Sequence, residues 1–172
     1  MSAPDANNVY IAYSNSTNSR LVVTNSSNGG GNWTTQTILE QIWNPRIATP
    51  AVDTVFITYG NFTTNGVRLA KSTNHGASWT TGFVVVGNGT PQSTFKSLAI
   101  NAPDTNTIYI AYGTSGLDLE IVNSSDQGAS WSVQIVANTV TTVDDVSIAA
   151  PNADTIYLAY YDSTNVKVAN SS

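Results

Sequence analysis

The chain has 172 residues, enough for one domain with a real core or for one piece of a larger domain. Only 10% of them are Asp, Glu, Lys or Arg, the formal net charge is -5, and there is no cysteine. Six scattered Lys and Arg side chains exclude a duplex-binding surface, and the missing thiols exclude a disulfide framework and a thiolate metal site.

In chain order, Met1 stands in the column later filled by Ile47, Ile100 and Ile148, so the chain opens partway through a strand, A. Pro4 ends it. Five residues on comes strand B, Val9-Tyr10-Ile11-Ala12-Tyr13, whose β-branched and aromatic residues predict a strand apolar on both faces. Strand C carries Leu21 and Val23, then a nine-residue turn runs from Asn25 to Trp33, and strand D carries Ile38-Leu39. The order repeats. Strand A returns at Arg46-Ile47-Ala48-Thr49, at Ser97 to Ala102 and at Val146 to Ala150, ended by Pro50, Pro103 and Pro151. Strand B returns at Val55 to Tyr59, Ile108 to Tyr112 and Ile156 to Tyr160. Strand C returns with the pairs Val67 and Leu69, Leu119 and Ile121, Val166 and Val168. Strand D returns at Phe83 to Val86 and at Val133 to Val136.

The turns between C and D share the pattern Ser-x-[Asp/Asn]-x-Gly-x-x-Trp: Ser26, Asn28, Gly30, Trp33; Ser72, Asn74, Gly76, Trp79; Ser124, Asp126, Gly128, Trp131. A Ser or Asn/Asp side chain can hold amides just ahead of it, Gly supplies a positive φ, and Trp buries a large apolar body beside the turn. The competing reading of Asp126 as metal ligand or catalytic carboxylate fails on its own repeats, because the same position is Asn28 and Asn74. The variable turn position of His75 is filled by Gly29 and Gln127, so His75 is expected in solvent. This pattern resembles the Asp-box, or bacterial neuraminidase repeat, of sialidases, sortilin-type receptors, xyloglucanases and photosystem II assembly factor propellers. The resemblance implies an all-β propeller built of four-stranded antiparallel blades with Asp-box turns between strands C and D.

Four strands per 46 to 53 residues is the load of one blade. The chain is expected to be one propeller domain or arc, with repeats at about 1–41, 42–91, 92–142 and 143–172. About four blades are represented, the first and last incomplete. An open arc leaves two apolar blade faces in water, so the expected arrangements are association with another copy, the remaining blades of a larger ring, or, third, a compact four-bladed ring.

Spacing also locates a candidate binding face. Proline to strand B is always five residues and Ser to Trp always seven, whereas Trp to the next proline varies as 17, 24 and 20. Function accumulates on variable loops, here the D-A and B-C loops opposite the boxes. The D-A loops carry Glu40, Gln41, Trp43, Asn44 and Arg46, then Phe95 and Lys96, then Asp144 and Asp145; the B-C loops add Tyr161 and Asp162. Trp43 with Glu40 and Arg46 offers an aromatic plate between opposite charges, or else Trp43 packs over the blade edge and Arg46 pairs locally. Asp144-Asp145 could add oxygens to a calcium site, but adjacent residues of an extended chain point to opposite sides. No metal or cofactor is expected.

For a sialidase the resemblance implies three convergent arginines, an Arg-Ile-Pro motif, a Tyr nucleophile and an acidic proton donor. Arg46-Ile47-Ala48 resembles that motif without its proline, and Arg20 and Arg68 occupy nearly matching positions of two blades rather than one centre. A sialidase-type glycoside hydrolase therefore ranks below a non-catalytic module binding a glycan or a protein, and below a self-assembling surface or appendage protein whose blade edges form the interface. Seven Asn-x-Ser/Thr sequons with low charge suit an extracellular or cell-surface location. No apolar run approaches the roughly 18 residues of a membrane span, and with no leader at its start the chain is expected to be a processed segment.

Overall fold

The computed structural model describes residues 1–63, 66–86, 97–114, 118–138, 143, 145–162 and 164–171; the side chains of residues 39, 40, 85, 86 and 138 fall outside the description. The β-branched and aromatic runs form strands, all paired antiparallel between chain neighbours. The first unit is β1 (Val9–Ser14), β2 (Arg20–Ser26) and the start of β3 (Thr34–Ala48), with Ser2 bridged to Tyr10 where strand A is expected. The end of β3 opens the second unit, followed by β4 (Val55–Asn61), β5 (Gly66–Ser72) and β6 (Thr80–Val86). The third is β7 (Leu98–Asn101), β8 (Ile108–Gly113), β9 (Asp118–Ser124) and β10 (Ser132–Asn138); the fourth is β11 (Asp145–Ala149), β12 (Ile156–Tyr161) and β13 (Val166–Ser171).

One element differs from expectation. The first D-A connection, read as a loop over Glu40 to Arg46, is part of β3: the strand pairs with β2 as far as Gln41 and with β4 from Ile42 onward. A register shift between Trp43 and Arg46, with Asn44 at φ 49°, bends the strand from one unit into the next. With a bulge absorbing the change of direction, no separate loop is needed.

The core is divided. One cluster joins Tyr10, Leu21 and Val23 of the first unit to Val55, Ile57 and Tyr59 of the second. Another joins Phe56, Val67 and Leu69 to Ile108, Ile110 and Tyr112. The third joins Tyr109, Leu119 and Ile121 to Leu158 and Tyr160. Each cluster therefore lies between consecutive units, which explains why strand B must be apolar on both faces: one serves the unit before and one the unit after. At about 1.5–3 kcal/mol for each fully buried aliphatic side chain, these interfaces carry most of the stability.

Candidate functional site

The inner strands of all four units converge on a cleft of about 460 Å³ whose wall includes Met1, Ile47, Ile100 and Ile148, the column already visible in the sequence. Pro45, Arg46, Val146 and Ser147 also line it. Arg46 is exposed and donates through Nη1 to the carbonyl of Pro45 at 3.2 Å. Among the described lining residues it is the one ionisable side chain. The Ser-to-Trp turns lie away from this cleft, and none of their residues lines it.

Those turns share one wiring. The Oγ of Ser26, Ser72 and Ser124 accepts the amide of the Gly four residues on, at 2.9, 2.9 and 2.8 Å. Each Oγ donates to the side-chain oxygen of Asn28, Asn74 or Asp126, which in turn accepts the amide of Asn32, Ser78 or Ser130. Gly29, His75 and Gln127 all have φ near +60°, and their amides donate to the carbonyls of Asn7, Asp53 and Asn106. The turns are thus fastened to the A-B turns of their own units. The left-handed backbone required at His75 was not legible, since a histidine there gives no signal.

Of the predicted ligand-binding residues, Phe95, Lys96 and Asp144 lie outside the described residues, as does the Glu40 side chain. Trp43 packs closely on Gly60, its cross-strand partner: a Cβ on Gly60 would fall 2.1 Å from the ring. Asp145 sits at the start of β11 and accepts the amide of Val146 at 3.0 Å. Tyr161 is exposed at the end of β12. Asp162 pairs with Lys167 and accepts the amides of Thr164 and Asn165, bonds that hold its carboxyl below the usual range, the Lys167 contact first. Asn15 and Asn61, its counterparts in the first two units, accept the amides of Thr17 and Thr63, so this position shapes the B-C turn. Arg46 is the predicted residue that reaches the cleft, while Arg68 lies 4.5 Å from the Phe83 ring centroid on an outer strand. Among the described residues no three His, Asp or Glu side chains cluster to hold a metal.

By sequence the chain matches no family model and no curated protein. By structure it is similar to YCF48 bound to D1 peptide, at 14% identity and TM-score 0.57, over 99% of this chain and 52% of that one. The fold is an open β-propeller arc. The NanB sialidase from Streptococcus pneumoniae matches at 12% identity and TM-score 0.62, over 95% of this chain and 28% of that one. The SapL1 lectin in complex with alpha methyl fucoside matches at 12% identity and TM-score 0.53, over 96% of this chain and 63% of that one. The propeller chain therefore spans about a quarter to two thirds of these similar structures, and its four units are blades.

Proposed function

We propose that this chain is an extracellular, non-catalytic propeller module that holds a glycan or a protein at the end of the axial cleft opposite the Ser-to-Trp turns, with Arg46 as its polar anchor. The observation that carries this reading is a cleft walled largely by aliphatic side chains, with Arg46 the one ionisable side chain among its described lining residues, the pattern of a site that orients a ligand. That similar structures hold a peptide or a fucoside is in keeping with it. We read the three turns as structural Asp-boxes, on their shared hydrogen bonds. A sialidase-type reaction ranks lower because Arg46 and Arg68 occupy the inner and outer parts of one blade rather than converging.

A glycan array probed with the purified chain tests the reading. The expected result is a ligand whose affinity falls about tenfold or more in Arg46→Ala, the scale of a lost charged hydrogen bond, with an unchanged melting temperature. Ligands indifferent to that substitution would remove the site, and turnover of a fluorogenic sialoside would replace the module with an enzyme.

A further inference from the structure

Asn-x-Ser/Thr triplets occur seven times, and the asparagine of six of them lies among the described residues. Such a triplet keeps a glycan in the folded chain only where the asparagine side chain stands in solvent, because the attached sugar is bulky and hydrated. The fold sorts the six. Asn61, at the end of β4, is 3% exposed and has no room for a sugar. Asn15 is half-buried, and its Oδ1 closes the B-C turn by accepting the Thr17 amide at 2.8 Å. Asn25, Asn123 and Asn170 stand just before Ser26, Ser124 and Ser171, a column that faces the following blade: Lys71, at the same place in the second blade, donates through Nζ to the Gln127 carbonyl of the next turn at 3.1 Å.

Asn32-Trp33-Thr34 differs from all of these. Asn32 is exposed, and its side chain has no hydrogen-bond partner among the described residues. Its tie to the turn is made by the backbone amide, which donates to Asn28 Oδ1 at 2.8 Å. Thr34 is exposed as well and opens β3, whose first half is the outermost strand of the first blade. This exposure belongs to the column and not to the blade's place in the arc. Ser78 and Ser130 stand where Asn32 does, Thr80 and Ser132 where Thr34 does, and all four are exposed although a blade precedes each. A sugar on Asn32 Nδ2 leaves the backbone bond to Asn28 in place, and the turns lie away from the cleft.

We propose that Asn32 is the N-glycan acceptor of this chain, on the outer rim of the first blade at the turn end, and that the buried, half-buried and blade-facing triplets are not acceptors. The co-reactant is a lipid-linked diphospho-oligosaccharide. Asn32 Nδ2 forms a bond to the anomeric carbon, the bond from that carbon to the diphosphate oxygen breaks, the lipid diphosphate leaves, and the amide gives up one proton. The inference rests on the extracellular reading above, since such a donor is met in a secretory compartment.

Mass spectrometry of peptides from the full chain, secreted by cultured eukaryotic cells behind a supplied leader, tests it. The expected result is one glycan per chain on the Asn32 peptide, released by an amidase that leaves Asp in place of Asn32. Asn32→Gln and Thr34→Ala are each expected to abolish it, and Asn61→Gln to leave it unchanged. The melting temperature of Asn32→Gln is expected to match that of the deglycosylated parent, because the side chain serves no bond of the turn. Ser78→Asn completes the same triplet ahead of Trp79 and Thr80 in the second blade and is expected to add a second glycan. An unmodified Asn32 peptide would overturn the proposal, as would a glycan on the Asn25, Asn61 or Asn123 peptide, or a Ser78→Asn chain that gains none. Because the leader supplies the secretion, those failures count against the acceptor and not against the extracellular reading, which fails instead if the chain in its native source is found inside the cell.

Discussion

Asp126 holds its turn with both carboxylate oxygens, Oδ1 accepting the Ser130 amide at 2.9 Å and Oδ2 the Ser130 hydroxyl at 2.6 Å. These bonds, the side-chain one first, lower its pKa from 3.8 to about 2. A carboxyl whose pKa falls on folding stabilises the fold above its ordinary value and loses that contribution as pH drops through the lowered one, here between pH 3.8 and about 2. Asn28 and Asn74 make the corresponding amide bond without a titrating group. The Ser130 amide resonance is therefore expected to titrate with a midpoint near pH 2, while the Asn32 and Ser78 amides stay flat and Asp126→Asn abolishes the titration. A midpoint at the ordinary 3.8 would mean that the bonds do not persist in solution. The repeats make this residue's role legible in the sequence, because an amide substitutes for the carboxylate in two of three copies. Trp43 has no such copies, and its contact with Gly60 pairs residues 17 apart that no local pattern links.

At the level of elements, the A-B turns show what repetition exposes and what it hides. Asp5, Asp104 and Asn152, each following the turn proline, accept the amides two and three residues on. The second turn has Ala51 there, and its Thr54 amide turns to the Ala51 carbonyl at the longer distance of 3.2 Å. Ala51→Asn supplies the missing acceptor and is expected to add about 0.5–1 kcal/mol, raising the melting temperature by about 1–4 °C; no gain would mean that the backbone bond already suffices. The order of strands was readable because A, B and C alternate and recur at fixed offsets from Pro and Ser. Strand D was harder. Its register against strand C shifts between Arg20 and Leu21, between Val67 and Arg68 and between Ile135 and Ala137, the first shift admitting two extra residues and the others one each. One of these is Val84, buried in the second interface, and its neighbour Phe83 is exposed. An apolar run such as Phe83-Val84-Val85-Val86 conceals a bulge, since every residue in it could face either way. The continuity of β3 escaped for a related reason: Asn44 and Pro45 read as loop residues, and only pairing with β2 and β4 together makes them a bend within one strand.

Across the whole molecule, positions of the same residue type and column carry unequal energetic weight where their surroundings differ. Val23 and Val168 occupy the same column, three residues before a box Ser, yet Val23 is buried between the first two blades and Val168 faces solvent. Truncating Val23 to Ala leaves a cavity in a packed interface and is expected to cost about 2 kcal/mol. Truncating Val168 removes side-chain atoms that touch mostly water, and the expected change lies within about 0.5 kcal/mol. Urea unfolding of both variants measures the difference directly, and equal costs would show that Val168 is packed in solution as Val23 is.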